Sequence, residues 1–193
     1  MNQTQYDDQE DSVGAPTSSD LVEINSITIN QYVVNIDGEI KSPSVYRQVF
    51  SVLQKATIRD VVIFRINSPG GEVDTAVQIV NMIQNCQAMC IAEVYSAYSA
   101  ASVITLACDE IRVMKYSSMM IHNINLGLFG KVNEIASHGN FINAWGNSFI
   151  RKIYSGFLTK TEIDSVLSGT DFWFMEEDIK KRLKTWKPMR KYE

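Results

Sequence analysis

Apolar and polar positions alternate in blocks along this chain, and the period of each block sets the element it predicts. Residues 27–36 (ITINQYVVNI) and 60–66 (DVVIFRI) are rich in β-branched residues, as strands are, and the first run ends at Asp37-Gly38, a turn dipeptide. Between them Val45, Val49, Phe50, Val52 and Leu53 recur at helical spacing, with Ser42 as candidate cap and Pro43 in the first turn. Val73, Ala76, Val77, Val80 and Ile83 suit one face of a second helix over 73–86. A strand over 89–95, a small-residue helix over 99–108 and short strands over 111–114 and 118–121 follow. Residues 132–157 then read as one long amphipathic helix, interrupted in propensity by Gly139 and Gly146. Thr159 followed by Glu162 forms a capping box that starts a shorter helix. Strand and helix in alternation predict a parallel sheet with right-handed crossovers, so the fold class is α/β.

At 193 residues the chain suits one domain with a tail. Residues 1–20 are polar, acidic and small, and bury too little apolar area to offset chain entropy, so a flexible arm is expected there. The longest strongly apolar run, residues 100–108, includes Ser102 and Thr105 and is far shorter than the roughly 20 residues of a bilayer span. No membrane segment or secretory start is expected, which points to the cytoplasm. A net charge of −4 argues against nucleic acid as a partner. Acidic residues collect at the start (Asp7, Asp8, Glu10, Asp11) and basic ones at the end (Lys180, Lys181, Arg182, Lys184, Lys187, Arg190, Lys191). These are expected to be solvated tails, or contacts between neighbouring subunits. Cys86, Cys90 and Cys108 lie in apolar surroundings without zinc-like spacing and read as buried thiols; no metal or organic cofactor is implied.

Three features carry chemistry. Ser68-Pro69-Gly70-Gly71 closes a buried strand with a turn whose glycines permit close backbone approach. Ser99 follows another strand and opens the helix of small residues, where the Ala100 amide and the helix dipole face a developing anion. His122 ends an apolar strand, at the sheet edge where active-site residues of α/β folds collect. Nucleophile, oxyanion donors (Gly71 and Ala100) and base are the parts acyl transfer requires. Ser102 is the rival nucleophile, but three residues into a helix its hydroxyl is better placed to bond back to the chain. His138, in the long helix, reads as surface or interface. For the acid that orients His122 the candidates are Asp74, Asp109, Asp164 and Asp171, with Asp171 preferred because Phe172-Trp173-Phe174 could bury it beside an imidazole.

These segments resemble the Clp protease proteolytic subunit family, ClpP, and its phage-encoded relatives. Ile66-Asn67-Ser68-Pro69-Gly70-Gly71 is similar to the family's oxyanion turn, and Ser99-Ala100-Ala101-Ser102 to the nucleophile motif of phage-type members. Met120-Ile121-His122-Asn123 resembles its histidine strand, and residues 169–177 the segment carrying its aspartate. The resemblance implies a ClpP/crotonase-like repeated β/α spiral and a serine endopeptidase with Ser99 as nucleophile, His122 as base, Asp171 as orienting acid, and Gly71 and Ala100 as oxyanion donors. It also implies heptameric rings, two of them stacked, that take unfolded protein or peptide substrates from an ATP-dependent AAA+ unfoldase. The expected division is an arm over 1–20, a β/α head over 21–125, a handle over 126–158, and a C-terminal part of the head with a basic tail over 159–193.

Three departures stand out. Tyr95-Ser96-Ala97-Tyr98 replaces the family's Gly-x-Ala-Ala before the nucleophile, so that two tyrosines could narrow the pocket. Arg65 replaces an aromatic residue of the unfoldase-docking pocket, and a basic tail replaces the final strand. The rival readings are a phage head-maturation protease of the same fold, a catalytically weak structural subunit, and a crotonase-type acyl-CoA enzyme.

Overall fold

The computed structural model describes residues 28–189; the expected arm over 1–20, and Arg190 and Lys191 of the tail, lie outside the described residues. Strands β1 (Gln31–Asp37), β2 (Val61–Ser68), β3 (Met89–Tyr98), β4 (Glu110–Ile121) and β5 (Phe172–Met175) form one sheet in chain order. The first four run parallel and β5 is antiparallel to β4. Each crossover moves one place along the sheet, through α1 (Arg47–Lys55), α2 (Val73–Asn85) and α3 (Ala100–Ala107) in turn. The α/β expectation holds.

Burial is strongly one-sided. Val34 and Ile36, Val62, Phe64 and Ile66, and Cys90, Ala92 and Val94 form the covered face, on which α2 packs between α1 and α3. All eight residues of α3 are buried, and its two hydroxyls, on Ser102 and Thr105, donate to backbone carbonyls of Ser99 and Ala101. Parallel sheets are usually covered on both faces. Here the second face, with Ile63 and Ile91 buried on it, carries Arg65, Glu93 and Arg112 in register on three adjacent strands. Arg65 Nε lies 3.1 Å and Arg112 Nη1 3.8 Å from the Glu93 carboxylate, so the side chain that departs from the family pattern belongs to a cross-strand charge ladder.

Two irregularities shape the strand ends beneath the chemistry. Tyr95 is an extra residue in β3 between the pairs Ile66↔Val94 and Asn67↔Ser96. In β4, pairing jumps from Val113 to Ser118, which accounts for the two short strands that the sequence predicts. Tyr116, at φ 64, lies inside that excursion, and its N–H donates to Glu176 at 2.7 Å.

Helix α4 (Val132–Ile153) stops before the expected 157 because the chain turns at Tyr154 and again at Gly156, φ +82. Ser42 makes no cap; its hydroxyl meets Ser44 instead, and a 3-10 turn over Pro43–Tyr46 precedes α1. The Thr159–Glu162 capping box is present on α5 (Lys160–Leu167). The basic tail is helical as far as Leu183, in α6 (Glu176–Leu183), with Lys180, Lys181 and Lys184 exposed. Three acids in its first turn and three bases in its last complement the helix dipole. Arg182 turns inward, forking onto Glu162 at 2.6 and 3.0 Å and lying over the Phe174 ring. That guanidinium, more than any other partner, holds the Glu162 carboxyl at about 2.

Asp60 joins the starts of β1 and β2. Buried, it accepts the backbone N–H groups of Thr57 at 2.8 Å and Asn30 at 2.9 Å, and those bonds, with the two side chains, lower its carboxyl to about 2. A depressed carboxylate contributes stability that is present above the unfolded value of about 4 and is lost as pH falls through the folded one. Wild-type melting temperature is therefore expected to drop between pH about 4 and about 2. In Asp60→Asn it should be lower at pH 7 and change less across that window; equal slopes in thermal melts would contradict the assignment.

Candidate active site

The chain leaves β3 for α3 through a single residue, Ser99, at φ 53 and ψ −124. A non-glycine residue in that region costs about 1–3 kcal/mol unless its surroundings hold it there. Three contacts do so. Ser99 N–H donates to Met120 O at 2.9 Å, Ser99 O accepts from Ser102 N–H at 2.9 Å, and Gly70 packs directly on the turn. A Cβ on Gly70 would lie 2.7 Å from both Ser99 Cβ and Tyr98 O, which no side chain tolerates. The sharp turn lifts the Ser99 hydroxyl off the helix axis. It makes no N-cap bond and instead lies 2.7 Å from His122 Nε2.

His122 is the first residue after β4, and the parallel pairing of β3 with β4 brings the C-terminal ends of both strands, and so Ser99 and His122, to one edge. Both are half-buried. The next residue secures the exit: Asn123 donates to Leu167 O and accepts from Ile124 N–H.

The glycine turn forms the opposite wall. Gly70 O accepts from Ile40 N–H at 2.7 Å and Ile40 O from Glu72 N–H at 3.0 Å, so the residues flanking Gly71 make a parallel bridge while its own amide faces away. At φ +148, Gly71 would place a Cβ 2.2 Å from Ile40 O. Among the described residues neither the Gly71 nor the Ala100 amide donates to a protein acceptor. Gly71, Ala100, Ser99 and His122 line one cleft of about 280 Å³, completed by Pro69, Val73, Ala76 and Val103 and by Ile124, Phe149, Ile150 and Tyr154.

Asp171 is placed differently from expectation. Continuing the antiparallel register one step past Ile121↔Phe172 sets it opposite His122, but it is exposed, and among the described residues it makes no hydrogen bond or ion pair. The apolar run beside it packs elsewhere: Phe174 against Phe157, and Trp173 edge-on to Tyr98. Asp164 pairs with Arg151 and Asp109 accepts from Cys90 N–H, while Asp74 lines a neighbouring groove with His138. The two tyrosines do not narrow the cleft. Tyr98 Oη lies 2.7 Å from Ser118 Oγ, and Tyr95 projects from the bulge.

Ser102 is fully buried; its hydroxyl donates to Ser99 O and meets Tyr154 Oη. In the sequence Tyr154 reads only as one apolar position of the long helix. Its signal was chemical: a buried phenol requires a partner. Burial, offset in part by Ser102, pushes its hydroxyl up to about 12.

Among the described residues no helix is long and apolar enough to cross a membrane, and no group of acidic, histidine and cysteine side chains could hold a metal ion. No curated protein matches the chain. A family model, that of the Clp protease, matches residues 16–180, most of the sequence and all of the site. The chain belongs to the Clp protease family.

Proposed function

We propose that the chain is a serine endopeptidase that cleaves unfolded protein or peptide substrates within a ring of its own copies. The observation that carries this reading is the 2.7 Å contact between Ser99 Oγ and His122 Nε2, in a cleft walled by the Gly70-Gly71 turn. A serine hydroxyl becomes an effective nucleophile when an imidazole accepts its proton. In the proposed reaction Ser99 Oγ bonds to the substrate carbonyl carbon as its proton passes to His122 Nε2. The carbonyl electron pair moves to oxygen, where the Gly71 and Ala100 amides receive it. Collapse of this intermediate breaks the C–N bond, and His122 returns the proton to the departing amine. Water repeats the sequence and frees the acid.

Asp171 is assigned to His122 Nδ1 on register, one step beyond Ile121↔Phe172. Free enzymes often hold such bonds loosely and tighten them around substrate. Its exposed position is the one observation that favours the rival reading, a structural subunit of low activity.

Ring formation is supported by the surface. The N-terminal half of α4 stands away from the core with Val132 86% and Phe141 63% exposed, next to a fully exposed Phe129. Apolar side chains of this size on a projecting helix mark an interaction surface. The occupant assigned here is a second copy of the chain, and an AAA+ unfoldase is the proposed source of substrate.

A fluorophosphonate probe is expected to label Ser99 in the wild type and to lose at least about 10³-fold in rate in Ser99→Ala and His122→Ala. Labelling that persists in Ser99→Ala contradicts the nucleophile. Asp171→Asn is expected to lower peptide hydrolysis by about 10²-fold, since a wrong imidazole tautomer impairs proton transfer; wild-type hydrolysis rates in this variant would remove Asp171 from the mechanism. In native mass spectrometry the wild type is expected as a ring, and Phe141→Glu as smaller species. A wild-type monomer at micromolar concentration would overturn the assembly.

A further inference from the structure

Two buried hydroxyls next to the nucleophile have no part in the reaction as written. Ser102 Oγ lies 2.7 Å from Ser99 O and 2.9 Å from Tyr154 Oη. A carbonyl oxygen only accepts, so Ser102 commits its one proton to Ser99, and Tyr154 is left as the donor to Ser102. The result is a one-way series from Tyr154 O–H through Ser102 O–H to the Ser99 carbonyl. Such series strengthen each member by polarising the next. Ser102 is 0% and Tyr154 1% exposed, so water does not compete for these bonds. The phenol, raised by burial, keeps its proton and remains a donor.

The consequence follows from peptide geometry. The Ser99 carbonyl and the Ala100 amide belong to one planar trans peptide and point in opposite directions. Fixing the carbonyl fixes the amide. Ser99 occupies a sparsely populated backbone region, where that peptide would otherwise relax.

We infer that Ser102 and Tyr154 are positioning residues that hold the Ser99–Ala100 peptide so that the Ala100 N–H faces the substrate oxyanion. Neither touches the reacting atoms. The inference rests on the serine-peptidase reading and adds residues to it. It also joins the site to α4, because Tyr154 is the C-terminal cap of that helix and Ser102 lies in α3.

The test is fluorophosphonate inactivation, resolved into the maximal rate and the half-saturating concentration. Tyr154→Phe keeps the ring in place and removes only the donor; Ser102→Ala removes the link itself. Each is expected to lower the maximal rate by about 10-fold, less than loss of an oxyanion donor outright, with half-saturation and the pH midpoint of labelling unchanged. The double variant should be no slower than Ser102→Ala, as members of one series are not additive. Thermal melts close to wild type identify folded variants. Folded variants that label at the wild-type rate, or that change only half-saturation, overturn the inference while leaving Ser99 as nucleophile. A wild type that is not labelled at Ser99 overturns both.

Discussion

The conformation of one residue governs the site. Ser99 turns the chain from a buried strand into a buried helix within a single left-handed step, and that step projects its hydroxyl toward His122. The turn exists because Gly70, on the neighbouring strand end, has no Cβ to collide with it, and because β4 offers Met120 O to the Ser99 amide. The parallel pairing of β2, β3 and β4 brings the glycine turn, the serine and the histidine to the same edge from three strands. The small residues Ala100, Ala101 and Ser102 let the start of α3 sit deep enough for its first amide to border the cleft.

The remaining architecture divides by face. One side of the sheet is filled by three helices, while the other carries the Arg65, Glu93 and Arg112 ladder. Exposed ion pairs of this kind add little to stability. The projecting helix tipped by apolar residues is the feature that supports the proposed assembly.

Much of this was legible in the sequence. Strand and helix periods gave the α/β order, and the elements around Ser68-Pro69-Gly70-Gly71, Ser99 and His122 lie where their patterns put them. Back-bonding by Ser102 was likewise readable, because a serine three residues into a helix has a carbonyl within reach. Other features depend on contacts distant in sequence. The C-terminal bases read as a tail until Arg182 finds Glu162 and Phe174, and residues 176–183 become a helix over β4 and β5. Asp171 seemed suited to burial from the aromatic residues after it, yet in a strand those residues alternate between faces and leave it exposed. Tyr98 seemed to crowd the nucleophile next to it, but strand alternation turns it toward Ser118 and Trp173 instead. Tyr154 was hidden for a related reason, since periodicity registers its ring and not its hydroxyl.

The central claim is that Ser99 attacks while the Gly71 and Ala100 amides receive the charge. A crystal structure of the phosphonylated protein tests it most directly. The account predicts phosphorus on Ser99 Oγ, with a phosphonyl oxygen about 2.7–3.1 Å from both amide nitrogens. An adduct on Ser102, or a Ser99 adduct whose oxygen faces away from those amides, would contradict it.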